Sequence, residues 1–521
     1  MNQVEPQQLS ASVTEPLPTG HSDLPAKRVL NGQAVLLADI PTLSIESFRQ
    51  SLIQAPSQHR RVAALFGASE PDGLRLYGVL AGAGEGQLFV IAALVEGTAF
   101  ASMTPECPQV HLFERELFEQ WGIVPEGHPR LNPVRFEVSR RAHDGDIACK
   151  IGIADFYRVE GDEVHEVAVG PVHAGVIEPG HFRFQCHGEE VLHLEISLGY
   201  QHRGVERAVL TNAVKRLLPY METAAGDTTI GHTTAYCQVI ESIGDSSVSG
   251  RAYALRAIAL ELERLANHVG TLGGLANDVG YLPTASFCGR LRGDFLNLTA
   301  TFCGSRFGRG LVRPGGVGFD VDADICRGLL ERLDATQRDV KSAVNLLWDA
   351  NSVQARFEGT GALTQQMAEE LGLVGVAARA CGLECDVRHD FPAGFFRLAQ
   401  IPVSVAQSGD VFARAYVRWL EIQRSYAFIR EQLQTLPVGS VRRECNSLRP
   451  DRLCVSLVEG WRGEICHVAI TGSDGRFASY KIVDPSFHNW MGLAVALRNQ
   501  QISDFPLCNK SFDLSYCGHD L

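Results

Sequence analysis

The stretch from Gly170 to Gly244 has the highest density of side chains that could do acid–base or metal chemistry. Imidazole and carboxyl groups alternate there with short apolar runs and glycines. Such groups take up and release protons or hold metal ions. We therefore expect a functional site in this stretch. Its titratable members include His173, Glu178, His181, His202, Glu206, Asp227 and His232.

The local pattern predicts a hairpin followed by two helices. Apolar runs on either side of a turn at 187–189 predict short paired strands. A helix is expected over 204–218, and a second from about His232. Asp227 precedes that second helix, where a carboxylate can accept hydrogen bonds from unpaired backbone N–H groups. Asp227 therefore has two interpretations, a helix cap and a catalytic carboxylate.

Several motifs, in one order along the chain, resemble one protein family. The segments GPVHxGxxEPGHFRF, LGYxHRGVER and GHTTAYC are followed by LELERLANHVGTLGGLANDVGY, by RGLVRPGGV and by a segment from Asp484 to Leu521. They resemble the large subunit of group 4 membrane-bound nickel-iron hydrogenases, of the formate hydrogenlyase and hydrogenase-4 type. They also resemble the related forty-nine-kilodalton subunit of NADH-quinone oxidoreductase (complex I). The resemblance covers the chain from about residue 165 to its end.

An earlier segment, HLFERELFEQWGIVPEGHPRL from His111 to Leu131, resembles the thirty-kilodalton subunit of complex I. The chain thus resembles a fusion of these two complex I subunits, as in formate hydrogenlyase large subunits. The charged residues Glu114, Arg115 and Glu116 on the predicted helix could form a site, but we interpret them as docking and solvated surface.

The chain departs from this family where the metals bind. The family holds its nickel-iron centre with soft thiolate ligands from two C-x-x-C pairs. The resemblance places these ligand positions on Ala225, Thr228, Ser515 and Gly518. Cys517 is out of register, and one thiolate cannot replace four. We therefore expect no nickel-iron centre and no other directly bound metal or cofactor.

The chain also departs from the forty-nine-kilodalton subunit at the residues with which that subunit binds quinone. The tyrosine that this subunit uses at the quinone head group falls on Gly226, and its histidine falls near Pro179 rather than on His181. The resemblance implies instead a vacated pocket, walled by His181, Asp227, His232 and His519.

Glu178 lies on the loop that carries the proton-relaying glutamate in nickel-iron hydrogenases. A carboxyl group partly buried beside histidines can exchange protons near neutral pH. The alternative is that Glu178, just before Pro179, only caps the loop. The candidate residues for a proton relay or for the vacated pocket are Glu178, His181, Asp227 and His232.

Composition excludes several classes of protein. The formal charge of −13 and a pI near 5.7 argue against nucleic acid or an anionic lipid surface as the main partner. The 14 cysteines include no C-x-x-C pair, which is typical of free thiols in a reducing compartment. No apolar run approaches the roughly 18 residues of a membrane span, so membrane association is expected through partners. Residues 1–28 are polar, which predicts a disordered leader rather than a signal peptide.

The predicted fold class is α+β. At 521 residues the chain is too long for one core. An N-terminal α/β domain like the thirty-kilodalton subunit (30–140) and a linker (141–168) are expected first. A mainly α-helical domain like the hydrogenase large subunit and the forty-nine-kilodalton subunit, with small β-hairpins, follows (169–521). Strand-like runs and amphipathic helices support this division at 61–66, 74–80, 88–95, 258–272, 324–348 and 410–436.

The expected function is that of a subunit, without a self-contained active site, in a membrane-associated oxidoreductase complex. It would couple electron or proton events to a membrane arm without being a functional hydrogenase. The implied partners are a small complex I-type subunit, which would hold an iron-sulfur cluster, and antiporter-like membrane subunits. The expected location is the cytoplasm, peripheral on the inner face of the membrane. The alternatives are a redox-inert scaffold and a quinone- or NADH-linked reductase with a remodelled pocket.

Overall fold

A computed structural model describes residues 25–70, 72–140, 154–175 and 177–521. The first part comprises β1 (Lys27–Val29), β2 (Ala34–Leu36), β3 (Thr42–Leu43), α1 (Ile45–Gln54), β4 (Arg60–Glu70), β5 (Gly73–Gly82), β6 (Gln87–Val95), β7 (Ala99–Ala101), α2 (His111–Trp121) and β8 (Val124–Glu126). Strands β4, β5 and β6 pair antiparallel, and β1 and β3 both pair with β6. Helix α2 ends at Gly122, whose φ of 65° is left-handed and suits glycine.

The middle part carries the predicted hairpin. Its elements are β9 (Val164–Val169), β10 (His181–His187), β11 (Glu190–Ser197), α3 (Val205–Thr211), α4 (Leu218–Glu222) and α5 (Thr229–Ile243). The hairpin is confirmed, because β10 pairs antiparallel with β11 as well as with β9. The helix predicted over 204–218 is interrupted: Asn212 is extended, and its side-chain amide donates to the Ala208 carbonyl at 2.8 Å.

A helical bundle follows. It contains α6 (Gly250–Asp278), α7 (Leu282–Cys303), β12 (Val312–Arg313), β13 (Gly316–Val317), α8 (Ala323–Trp348), α9 (Asn351–Phe357), α10 (Gln365–Leu371), α11 (Gly375–Arg379), α12 (Val387–Asp390) and α13 (Val411–Gln434). The three predicted long helices are confirmed as α6, α8 and α13. Ser249, Asp322 and Asp410 each accept a hydrogen bond from a first-turn backbone N–H of these helices. Helix α6 packs against α7 and α13.

The carboxyl-terminal part returns to a sheet. It contains β14 (Arg452–Glu459), β15 (Glu464–Thr471), β16 (Phe477–Val483), α14 (Pro485–Ala496), α15 (Phe505–Phe512) and α16 (Tyr516–Asp520). Strand β2, from the first part of the chain, pairs with β14 and extends this sheet. Buried side chains of β4–β6 and of β14–β16 form one apolar cluster. The beginning and the end of the chain therefore share a core in an α+β structure.

The interpretation of Glu114 and Glu116 as solvated surface is wrong. Glu114 is fully buried and accepts hydrogen bonds from the Met103 backbone N–H at 2.7 Å and from nearby hydroxyls. Glu116 forms ion pairs with Arg135 and with Lys481 of β16. The periodicity of α2 could not show this, because one of these partners lies on a strand far along the chain.

Two of the predicted boundaries, the end of the leader and the end of the linker, differ from those in the structure. Strand β1 begins at Lys27, inside the predicted leader, and residues 1–24 lie outside the described residues. Residues 141–153 of the predicted linker are also outside them, and its last residues belong to β9. The domain division itself stays a prediction. The 13 described cysteines are free thiols. Among the described helices, none combines the length and the apolar character of a membrane span.

Candidate functional site

The carboxyl terminus lies against the loop that precedes α5. The Arg203 guanidinium joins the two by donating to the carbonyls of Thr223 (2.5 Å), Ala224 (2.9 Å) and Cys517 (3.0 Å). The Asp520 carboxylate anchors the terminus further by accepting from backbone N–H groups at 199 and 201, both at 2.8 Å. The residues at the predicted metal-ligand positions are thus on two adjoining segments.

The residues at the second pair of ligand positions, Ser515 and Gly518, contact their own helix and Asp484. The Ser515 hydroxyl accepts from the Gly518 backbone N–H at 2.9 Å and so caps α16. A Cβ atom at Gly518 would lie 2.7 Å from the Asp484 carboxylate. Close-packed interiors do not absorb such an approach without a shift of the neighbours. A cysteine side chain at position 518 would therefore require Asp484 and Ser515 to move.

Cys517 faces the loop that carries Glu178. Its thiol lies 3.4 Å from the Ser515 hydroxyl and close enough to the half-buried Glu178 carboxylate to be affected by its charge. Burial, reinforced by the Glu178 charge, raises the pKa of Cys517 to about 11. Since the thiolate is the form that binds a metal, the neutral thiol is a poor ligand at physiological pH.

The residues present do not fit a nickel-iron centre. The donor set consists of a methyl group at Ala225, neutral hydroxyls at Thr228 and Ser515, and a glycine crowded by Asp484. Such groups do not supply soft anionic ligands. In the described ranges, no group of three or more His, Cys, Asp or Glu residues is arranged to hold a metal ion.

Asp227 is not the cap of α5. Its carboxylate forms a paired interaction with Arg462, with N–O distances of 2.6 and 2.9 Å, and its side chain is about one-third exposed. The cap comes instead from Glu263 of α6, which accepts from the backbone N–H groups of Ile230 (2.7 Å) and Gly231 (3.2 Å). Burial raises the pKa of Glu263 to about 8. Glu263 thus combines a structural contact with a titration near neutral pH.

A chain of four buried polar side chains extends inward from Asp484. His232 of α5 places Nε2 at 3.0 Å from the Asp484 carboxylate and Nδ1 at 3.1 Å from Nε2 of His467. His467 of β15 in turn lies 2.9 Å from the Tyr480 hydroxyl of β16. All four are at most 1% exposed. We call these residues, Tyr480, His467, His232 and Asp484, the histidine chain.

The contacts of the histidine chain fit two proton assignments, which differ in the proton count of His232. Burial alone would raise the pKa of Asp484, but the hydrogen bond from His232 and the charge of Arg462 outweigh burial and lower it. Burial, with His232 adding to it, lowers the pKa of His467 well below its ordinary range. Neutral imidazoles donate at one nitrogen and accept at the other. If both imidazoles are neutral, Tyr480 donates to His467, His467 to His232, and His232 to the Asp484 carboxylate; if His232 is protonated, it donates to both Asp484 and His467, and His467 donates to the Tyr480 oxygen.

Comparison with known proteins identifies the relatives of the chain. Residues 278–453 match the family described as the respiratory-chain NADH dehydrogenase 49 Kd subunit. Formate hydrogenlyase subunit 5 of Escherichia coli (strain K12) is 28% identical over 432 residues, which cover 80% of this chain and 76% of that protein. The carbon monoxide-induced hydrogenase of Rhodospirillum rubrum is 29% identical over 350 residues, covering 67% and 97%.

A complex I protein is similar to the same extent. One component of the NADH-quinone oxidoreductase of Thermosipho melanesiensis is 29% identical over 362 residues, covering 66% of this chain and 96% of that protein. The resemblance predicted from residue 165 onward is confirmed, whereas the resemblance of residues 111–131 to the thirty-kilodalton subunit stays a prediction. The chain is related to the hydrogenase large subunits and to the forty-nine-kilodalton subunit of complex I.

In the structure, the predicted site residues do not form one cluster, and each makes its own contacts. His232 and Asp227 are linked indirectly, because Arg462 pairs with Asp227 and is also stabilised by the Asp484 charge. His181 contacts the Gly170 carbonyl (3.2 Å) and the Phe156 ring. His519 bonds to Asp520 (2.9 Å) and stacks on Phe487. Glu178 contacts Cys517. The catalytic roles assigned to these residues stay predictions.

Sequence reasoning missed His467, Tyr480, Asp484 and Arg462. His467 and Tyr480 stand within apolar strands, where a polar residue so placed signals a buried hydrogen bond. Asp484 precedes a proline that begins a helix, which is a recognisable cap pattern. These signals could have marked the residues as buried and bonded, but not as partners of His232.

Proposed function

We propose that this chain is the large subunit of a membrane-associated oxidoreductase complex related to formate hydrogenlyase, hydrogenase-4 and complex I, and that it works without a nickel-iron centre. The observation that carries the proposal is the set of residues at the four ligand positions, above all Gly518, where a side chain would collide with Asp484. The resemblance over most of the chain supports membership of such a complex.

The protein groups that could take part in its chemistry are proton carriers. The histidine chain offers alternating donors and acceptors across the core, and Glu178 offers a half-buried carboxyl group beside Cys517. Glu263 adds a group with a pKa of about 8. Proton transfer through positioned side chains requires hydrogen-bond contact, which the histidine chain provides at each step. The subunit would thus pass protons while electrons move in a partner.

The implied partners are a small iron-sulfur subunit of the complex I type and antiporter-like membrane subunits. The chain would lie in the cytoplasm, peripheral on the inner face of the membrane. Association is testable by co-expression. The chain should sediment with membranes when its partners are present and should stay in the supernatant when it is expressed alone. Retention of the isolated chain on salt-washed membranes would contradict this arrangement.

The decisive experiment is a metal and activity analysis of the intact complex, purified through a tag on this chain from cells that contain hydrogenase maturation proteins. We expect iron from a partner's cluster, nickel far below one atom per chain, and neither uptake nor evolution of hydrogen. Nickel near one atom per chain with hydrogen activity that follows it would overturn the proposal. Absence of any cluster in the complex would instead favour the redox-inert scaffold.

A further inference from the structure

A large cavity lies apart from the histidine chain, between α2, β11 and α14. Its volume is about 510 Å³, within the range of roughly 300–1,000 Å³ that is usual for small-molecule sites. One part of its wall is apolar and includes Leu194, Ile196, Trp490 and Ala494. We call it the α2–α14 cavity.

Arg115 lines this cavity and lacks an acidic partner. Its guanidinium donates to the backbone carbonyls of Asn132 (2.6 Å, from Nε) and Pro133 (2.8 Å, from Nη2). In the part of the chain that the structure describes, no carboxylate forms an ion pair with Arg115, and its Nη1 has no hydrogen-bond partner. Burial lowers the pKa of Arg115 to about 10. The guanidinium therefore carries a positive charge that is not in an ion pair, although the charges of Glu195 and Glu119 act on it from a distance.

Two imidazoles lie near Arg115 in the same wall. Burial lowers the pKa of His111 to about 3, and the neighbouring Arg115 and His519 contribute to the shift. Neither ring nitrogen of His111 has a partner among the described residues. His519 uses only Nδ1, which bonds to Asp520 at 2.9 Å. His128 differs, because both of its ring nitrogens are bonded to backbone groups. Arg115, His111 and His519 thus present unused hydrogen-bonding nitrogens.

Glu195 is the one carboxylate among the described residues that line the cavity, and it is already neutralised. It pairs with Arg130 at 3.2 Å and accepts from the Asn132 amide at 2.9 Å and the Tyr157 backbone N–H at 2.7 Å. Its charge acts on Arg115 from a distance, but its hydrogen bonds and its ion pair go to other groups. The cavity therefore has an excess of positive charge beside an apolar wall.

We propose that the α2–α14 cavity binds an amphipathic carboxylate. The head group would accept hydrogen bonds from Arg115, a charge-assisted contact that is stronger than a neutral one. The body would lie on the apolar wall formed by Trp490, Ala494 and Ile196, where removal from water favours binding. Exposed Arg498 and Tyr157 also line the cavity, so its mouth reaches the surface.

The test is calorimetric titration of the full-length chain with dodecanoate below its micelle concentration. Dodecanol and dodecyltrimethylammonium serve as probes with the same apolar body. We expect dodecanoate to bind at least tenfold more tightly than either. A naphthalene carboxylate, as a second arm, distinguishes an aliphatic from an aromatic body. Equal binding of dodecanoate and dodecanol, or no binding of either carboxylate, would overturn the proposal.

Two variants locate the site. Arg115→Gln should weaken dodecanoate binding at least tenfold, whereas Arg498→Gln at the exposed rim should change it less than threefold. Because loss of Arg115 also removes two contacts to the loop at 132–133, Ala494→Phe offers an independent check from the opposite wall. It should abolish binding by filling the cavity. Unchanged affinity in both Arg115→Gln and Ala494→Phe, with folding verified by circular dichroism, would place the ligand elsewhere and overturn the assignment.

Discussion

The histidine chain and the segments at the metal-ligand positions adjoin each other at Asp484 and Gly518, yet they are built differently. The members of the histidine chain lie on α5, β15 and β16 and, for Asp484, immediately before α14, and all are fully buried. The ligand-position residues lie on the loop before α5 and at the short helix α16, and Ala225, Thr228, Ser515 and Gly518 are themselves buried. Their neighbours are less buried, because Gly226 is exposed and Glu178 and Asp227 are half-buried. The histidine chain is thus buried throughout, whereas the ligand positions lie beside residues that reach the surface.

The difference separates two kinds of chemistry. Proton transfer needs only aligned donors and acceptors, and the histidine chain supplies these without a metal. Metal binding needs particular ligands at particular points, and the segments at the ligand positions do not supply them. This chain therefore contains a buried polar path beside segments that lack a set of metal ligands. The following predictions test whether the two regions differ in this way.

The largest expected effect is acid lability of the buried core. Burial lowers the pKa of His111 to about 3 and of His268 to about 4, and holds the pKa values of His467 and His488 well below the ordinary range. In the unfolded chain these groups bind protons below about pH 6.5. Stability is therefore present above that pH and is lost as the pH falls.

Each of these histidines should lower the free energy of unfolding by up to about 1.4 kcal/mol per pH unit below 6.5. Since folded domains are stable by only about 5–15 kcal/mol, unfolding is expected near pH 4.5–5. Urea titrations between pH 7.5 and 5 measure the slope. His488→Phe should remove one histidine's share of it, whereas His187→Gln on the exposed hairpin should not. A stability independent of pH would contradict the burial of neutral histidines.

The next largest change in stability is expected from substitutions at two aspartates, Asp484 of the histidine chain and Asp227 beside the ligand positions. Asp484→Ala removes the acceptor of His232 and the cap of α14, and should cost about 3–5 kcal/mol as the loss of one partner of a buried pair. Asp227→Ala breaks an ion pair whose carboxylate is partly exposed, and should cost about 1 kcal/mol. Urea unfolding of both variants at pH 7.5 gives the difference. Equal losses would remove the distinction between the regions.

A smaller change in stability is expected from substitutions at two glycines in the segments that carry the ligand positions. A Cβ at Gly518 would lie 2.7 Å from Asp484, whereas a Cβ at Gly226 would meet nothing within 4 Å. Gly518→Ala should therefore destabilise by about 1–3 kcal/mol through overpacking. Gly226→Ala should stay within about 0.5 kcal/mol of the parent protein. Thermal unfolding measures both, and a neutral Gly518→Ala variant would show that space for a ligand exists at position 518.

Local patterns predicted much of the fold. The hairpin of β10 and β11 follows from alternation around a turn, and α8 and α13 follow from their apolar stripes and aspartate caps. The same reasoning placed the start of α5 at His232 instead of Thr229. Its true cap, Glu263, comes from another helix, so no local signal marks the start.

The candidate site was predicted less well, because its contacts join distant parts of the chain. His232 meets His467 across 235 positions and Asp484 across 252. A single sequence contains no signal for such pairs. The resemblance located the ligand positions, but only the structure shows that Asp484 crowds Gly518. The partners of Glu116 were hidden for the same reason.

The smallest expected effect concerns the contact between Glu178 and Cys517. Burial is the main cause of the raised pKa of Cys517, and the Glu178 carboxylate adds to it by its charge. Glu178→Gln removes the charge and keeps the shape. The pKa of Cys517 should then fall while staying above its ordinary value, and the thiolate fraction at pH 8 should rise severalfold.

The measurement is the rate of alkylation of Cys517 by iodoacetamide at pH 8, followed peptide by peptide with mass spectrometry. Cys186, whose neighbouring carboxylate is Glu189, serves as the internal reference and should react at an unchanged rate. Glu190→Gln, an exposed change of the same kind, is the matched control. If Cys517 reacts equally fast in the parent protein and in Glu178→Gln, the carboxylate does not reach the thiol. Glu178 would then lose a titratable neighbour at the ligand positions, and the loop-capping interpretation of this residue would be preferred to the proton relay.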